Sequence, residues 1–145
     1  ADFSLVMRVL GQVADGNLQF SEQLGAGGPS SVRGYYTDAA IASEGVLISG
    51  EVRSPAFSLS KLLHQRLPVD DQAQLGAFWD YGHVSQVDAI PDHVNSATLS
   101  SLGVNAHLIL GPYADLRVDV GWQLRAAPGV ADRGAFTDFA VTVGF

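Results

Sequence analysis

Apolar and polar residues alternate with period two along six segments of the chain, and that alternation predicts strands. In the first, Phe3 to Ala14, the odd positions Phe3, Leu5, Met7, Val9, Gly11 and Val13 form one row, and Ser4, Arg8 and Gln12 fall on the other. In the second, Gly45 to Ser54, the row Val46, Ile48, Gly50 and Val52 opposes Ser49, Glu51 and Arg53. The third, Gln74 to Val84, sets Leu75, Ala77, Trp79 and Tyr81 against Gly76, Phe78, Asp80 and Gly82. The fourth, Ala97 to Leu110, sets Leu102, Val104, Ala106, Leu108 and Leu110 against Ser101, Gly103, Asn105 and His107. The fifth, Tyr113 to Ala126, is the most regular: Leu116, Val118, Val120, Trp122 and Leu124 alternate with Asp115, Arg117, Asp119, Gln123 and Arg125. The last, Ala135 to Phe145, places Phe139, Val141, Val143 and Phe145 opposite Asp138, Thr142 and Gly144.

The connections are unequal. Residues 15–44 form a long, polar, glycine-rich loop centred on Val32-Arg33-Gly34-Tyr35. Long loops in compact domains tend to carry function. Pro55 to Asp71 is also long, and Ser60 to Leu67 within it suits a short helical turn with Leu62, Leu63 and Leu67 on its apolar side. Ser85–Asn95 and Pro128–Gly134 are loops, and Gly111-Pro112 is a tight turn. No segment makes a helix of ordinary length, so the predicted fold is antiparallel all-β.

Two architectures suit such a pattern. In a soluble sandwich or barrel the apolar face turns inward; in a membrane barrel it faces lipid and the polar face lines the lumen. The segments are longer than the roughly 5–6 residues of an ordinary strand and comparable with the ~9–11 that cross a bilayer at a tilt. The polar rows carry both signs of charge, as a lumen does. Aromatic residues at Phe3, Trp79, Tyr81, Trp122 and Phe145 suit an interfacial girdle. Long and short connections alternate in the manner of barrels, although Pro55–Asp71 is long on the side where short turns are expected. The membrane sense is therefore preferred.

Composition narrows the function. A net charge of −7 argues against a nucleic-acid partner held through phosphates. The absence of cysteine removes disulfides, thiolate metal sites and thiol nucleophiles. No apolar run approaches the ~18 residues of a transmembrane helix, which excludes only helical membrane proteins, and no signal peptide is recognised at Ala1, as expected of a fragment.

The residues Phe20-Ser21-Glu22-Gln23, then Gly27-Gly28, then Val32-Arg33-Gly34-Tyr35, resemble the hallmark of the two-partner-secretion transporters, the ShlB/FhaC/HecB haemolysin secretion/activation family of the BamA superfamily. Gly45–Pro55 is similar to that family's strand after the hallmark loop, and Phe78-Trp79-Asp80-Tyr81-Gly82 to its F-x-D-x-G strand. Phe145 resembles the assembly signal of bacterial barrels. Each motif alone is weak; the ordered set covers most of the chain. The resemblance implies a sixteen-stranded barrel preceded by a plug helix and two POTRA domains. Residues 1–145 would then be its C-terminal part, the last six strands, without POTRA domains or N-terminal strands, and loop 15–44 would fold into the lumen. It further implies translocation of a large secreted partner protein across the outer membrane of a Gram-negative bacterium. Lipid and the barrel assembly machinery would be further partners. Alternatives are a BamA- or TamA-like assembly factor and a soluble β-barrel binding module.

For the site, the resemblance places Arg33 at the loop tip, facing an acidic residue of the inner wall. Asp80 matches the family's aspartate and lies on the polar face; Glu51 is a second candidate. A guanidinium favours a carboxylate it can meet through two hydrogen bonds. Gly34 permits a turn or close approach to the wall, and Gly27-Gly28-Pro29 a tight bend. His64, His83, His93 and His107 lack metal-ligand spacing, so no metal and no cofactor is expected. Asp115 and Asp119 on one strand stand about 13 Å apart, too far for a paired acid and base. No nucleophile elbow is present, and an enzyme is not expected.

Overall fold

The structure is a computed structural model that describes residues 2–64 and 69–144. Its elements in chain order are β1 (Ser4–Gln12), a 3₁₀ turn (Phe20–Glu22), β2 (Leu24–Ala26), β3 (Ala40–Ala42), β4 (Glu44–Arg53), α1 (Leu59–Leu62), β5 (Asp71–Ser85), β6 (Ser96–Leu110), β7 (Ala114–Gln123) and β8 (Ala135–Val143). Six strands form one antiparallel sheet in the order β1-β4-β5-β6-β7-β8, while β2 and β3 pair separately. The sheet is open, with β1 and β8 at its edges among the described residues. Successive reversals put the connections 13–43, 86–95 and 124–134 at one end, and the end of β4, the start of β5 and the connection 111–113 at the other.

Register turns the alternation into two unlike surfaces. One cross-strand row reads Met7, Gly50, Trp79, Leu102, Trp122, Ala135. On the same face Leu5, Val9, Leu75, Val104, Val118, Phe139 and Val141 are all exposed. A soluble sandwich would bury such a face, because each large apolar side chain left in water forgoes roughly 1.5–3 kcal/mol. The opposite face carries the rows Arg8, Ser49, Asp80, Ser101, Gln123 and Val6, Glu51, Phe78, Gly103, Gly121, Phe136. The sheet therefore has the membrane sense: apolar outside, polar inside.

The core is built on the polar side. Near the end where loop 15–44 emerges, the inner row changes to Leu10, Leu47, Gly82, Leu99. There Leu24, Ala26, Val32, Tyr35, Ala40 and Ala42 of the loop pack against Leu47, Val84 and Leu99 of the sheet. The loop is thus not a plain polar excursion but a small folded unit with its own hairpin. Ser43, fully buried, ties its neck: Ser43 Oγ accepts from Leu18 N at 2.9 Å and donates to Gln86 Oε1 at 2.6 Å, and Gln12 Nε2 donates to the Ser43 carbonyl at 3.0 Å.

Four further differences from the sequence expectation have local causes. The helical turn falls at Leu59–Leu62, earlier than Ser60–Leu67, because Ser58 caps it by accepting from Lys61 N; Leu67 lies outside the described residues. β5 starts at Asp71 instead of Gln74, since Phe57 and Ala73 exchange backbone hydrogen bonds and extend the ladder. β7 ends at Gln123, leaving Arg125 in the connection to β8, where Pro128 cannot continue a ladder. Trp79 stands mid-strand, in line with Trp122, instead of near a strand end. Phe145 lies outside the described residues.

Candidate functional site

Arg33 is carried by the loop onto the middle of the inner face and is buried there, 4% exposed. Its partners come from three strands. Nε donates to Asp80 Oδ2 at 2.8 Å and Nη2 to Asp80 Oδ1 at 3.0 Å, a two-pronged pairing on β5. The backbone N–H of Arg33 also reaches Asp80 Oδ2, at 3.0 Å. Nη1 donates to Glu51 Oε2 on β4 at 2.6 Å and to Asp119 Oδ1 on β7 at 3.2 Å. Ser49 Oγ accepts from Nη2 at 3.3 Å and donates to Asp80 Oδ1 at 2.6 Å. The Phe78 ring closes one face of the guanidinium, with Cζ 3.5 Å from its centroid.

Asp80 is 0% exposed, and Glu51 and Asp119 are buried. Charges so placed persist only when paired and hydrogen-bonded. Glu51 receives a second guanidinium from Arg53 at 2.6 Å and Asp119 one from Arg117 at 2.8 Å. The cluster thus sets three arginines against three carboxylates. Burial alone would lower the Arg33 pKa; the hydrogen bonds and charges of Asp80 and Glu51 outweigh it and hold the group above its ordinary value, so it stays charged.

Each inward residue of the Phe78-Trp79-Asp80-Tyr81-Gly82 stretch has a distinct contact with the loop. Phe78 stacks on Arg33, and its ring lies where Gly103 has no side chain. Asp80 takes the charge. Gly82 leaves room for Val32, which is 0% exposed. Gly34, at φ +90°, lies directly on Gly121: a Cβ built on Gly121 would stand 2.7 Å from Gly34 N and 3.0 Å from the Arg33 carbonyl carbon. Both partners there are backbone, so neither can yield. Tyr35 Oη lies 2.8 Å from the Ser100 carbonyl and 2.7 Å from that of Arg125, and accepts from Ser100 N at 3.1 Å. Gly27 and Gly28, at φ +115° and +94°, turn the chain into the hairpin, where Ser31 Oγ bonds to both the N–H and the carbonyl of Gly27.

The structure therefore brings both carboxylates singled out in the sequence, Asp80 and Glu51, to Arg33 together. Sequence reasoning set them against each other as competing partners and missed Asp119, Ser49, Gly121 and Gln123. The available signal was parity: every one of them falls on the polar face of its strand. Among the described residues no group of histidines and carboxylates is placed to hold a metal.

An open antiparallel sheet, bare and apolar outside, polar inside and closed over by an arginine-tipped loop, defines the class: a wall segment of a transmembrane β-barrel. The family model for the haemolysin secretion/activation protein ShlB/FhaC/HecB matches residues 1–106, and the chain belongs to that family. This is a transporter family of the Gram-negative outer membrane concerned with secretion and activation of partner proteins, not an enzyme family. No curated protein and no solved structure matches the chain.

Proposed function

We propose that the chain forms the C-terminal part of the wall of an outer-membrane β-barrel that translocates one large secreted protein of the haemolysin or adhesin type, with loop 15–44 seated in the lumen. The observation that carries this reading is the charge-balanced cluster around Arg33. A charge so fully desolvated belongs on an inner wall closed over by the loop, not on a solvated surface loop. Lipid meets the outer apolar face, and the remaining inward polar residues Gln74, Asn105, His107 and Asp115 give an unfolded chain a polar path. No nucleotide is required, and the partner's folding outside supplies direction.

Site-specific photo-crosslinking tests the reading in the full-length transporter. A photoreactive residue at Asn105, on the inner face, is expected to capture the partner protein during export. The same residue at Val104, exposed on the outer face, is expected to capture none. Equal capture at the two positions, or none at Asn105 while export proceeds, would refute passage along this face.

A further inference from the structure

Three consecutive inward positions of β7 meet the loop tip: Asp119 the guanidinium, Gly121 the backbone of Arg33 and Gly34, and Gln123 the Gly34 carbonyl. All three lie beyond the stretch matched to the family. Gln123 is buried and has two partners at once. Its Nε2 donates to the Gly34 carbonyl at 2.8 Å, and its Oε1 accepts from Gly134 N at 2.9 Å, where the 124–134 connection re-enters the sheet. The amide orientation is fixed by these partners, since a carbonyl must be met by N–H and an N–H by oxygen. Its backbone N–H also bonds the Gly134 carbonyl at 2.9 Å, which holds the two residues side by side. The next residues of the loop reach the same hairpin: Tyr35 Oη is 2.7 Å from the Arg125 carbonyl, and the Tyr36 ring meets Phe136 edge-on at 4.3 Å.

We infer that Gln123 is a positioning residue that couples the seat of the lumen loop to the β7–β8 connection, so that the loop tip and that connection move as one. This rests on the transport reading only in taking the loop to sit in a lumen. Arg33 fixes the tip to β4, β5 and β7 by charge. Gln123 fixes the next residue by a neutral amide whose other end is held outside the cluster. Displacing 124–134 therefore pulls on Gly34 directly, without first breaking the ion pairs.

The test uses the full-length transporter carrying Val32→Cys as reporter. This chain has no cysteine of its own, and position 32 is fully buried while the loop is seated. Thiol labelling in intact outer membranes then reports unseating, and heat-modifiable mobility confirms the folded barrel. Gln123→Ala is expected to raise the labelling rate on the order of five- to tenfold, the scale of one buried carbonyl losing its donor. Gln123→Glu is the discriminating variant. A carboxylate still accepts from Gly134 N but cannot donate to the Gly34 carbonyl. A role confined to the β7–β8 connection leaves this variant like the parent; a role in seating the loop makes it label at least as fast as Gln123→Ala. Gly134→Pro removes the N–H at the far end and is expected to raise labelling too, while Gly134→Ala keeps it and is expected to match the parent. Gly134→Pro also carries the test should the Gln123 variants fail to fold. Parent-like labelling in Gln123→Glu, or in Gly134→Pro, overturns the coupling. Export is measured in parallel: faster labelling with full export supports the coupling and refutes the need for a seated loop in transport.

Discussion

Removing Arg33 strips cationic partners unequally from three carboxylates, and the inequality can be worked out from the contacts. In Arg33→Ala, Glu51 retains Arg53 at 2.6 Å and Asp119 retains Arg117 at 2.8 Å. Among the described residues, Asp80 retains only the Ser49 hydroxyl at 2.6 Å and the backbone N–H of residue 33 at 3.0 Å, while being 0% exposed. Leaving one partner of a buried ion pair uncompensated costs roughly 3–5 kcal/mol. That is on the order of a hundredfold or more in the balance between seated and unseated loop. Asp80→Ala is expected to cost less, about 1.5–3 kcal/mol, because Arg33 loses its two-pronged partner but keeps Glu51 at 2.6 Å and Asp119 at 3.2 Å. Glu51→Ala and Asp119→Ala each leave that pairing and one further carboxylate intact, and are expected to cost on the order of 1–2 kcal/mol. The double change Arg33→Ala with Asp80→Ala removes the orphaned carboxylate along with its cause. It should cost no more than Arg33→Ala alone, since residues that share one interaction are not additive. The assay is secreted partner protein normalised to folded barrel, with Val32→Cys labelling as the direct measure of seating. Strict additivity in the double, or full export and parent-like labelling by Arg33→Ala, would refute the cluster as the loop's anchor.

Three other outcomes are expected. Gly121→Ala should unseat the loop, since its Cβ meets only backbone of Arg33 and Gly34, whereas Gly50→Ala, with nothing within 4 Å, should be silent; labelling of Val32→Cys separates the two. Phe78→Leu keeps much of the apolar bulk but loses the ring over the guanidinium, a change of about 0.5–2 kcal/mol visible as faster labelling and unchanged barrel yield. Ser43→Val removes the buried hydroxyl that bonds Leu18 N and Gln86, and should loosen the loop neck by about 1–3 kcal/mol, read as protease cleavage within residues 13–23.

The sheet was legible in the sequence because each strand has one face in the open and one turned inward, and period two records that difference directly. Asp80 and Glu51 could be placed on the inner face by parity, and the ordered motifs pointed to Arg33 as the group they would meet. What parity does not give is height along the strand or distance across the sheet. Asp119 lies 86 residues from Arg33 in sequence, and nothing local in β7 marks it apart from Asp115, which shares its face. The treatment of Asp80 and Glu51 as rivals went astray because a guanidinium has five N–H groups and can serve several acceptors. The loop's own core escaped notice for another reason. Leu24, Ala26, Ala40 and Ala42 are small or isolated among polar neighbours, and β2 and β3 are too short for a period to show.

The dry packing of Val32, Tyr35 and the β2–β3 hairpin against Leu47, Val84 and Leu99 bears on permeability. A loop held by charge alone would be easily traded for water and salt. This one also covers apolar wall, and lifting it away from an otherwise empty passage would set that wall and the underside of the loop against water. In the transporter proposed above, opening is therefore opposed by hydrophobic exposure unless something with apolar side chains takes the loop's place. An unfolded polypeptide offers such side chains; water and small ions do not. In such a transporter the resting leak would be limited by the same kind of burial that keeps a small soluble domain folded, and an occupant resembling a protein would relieve it.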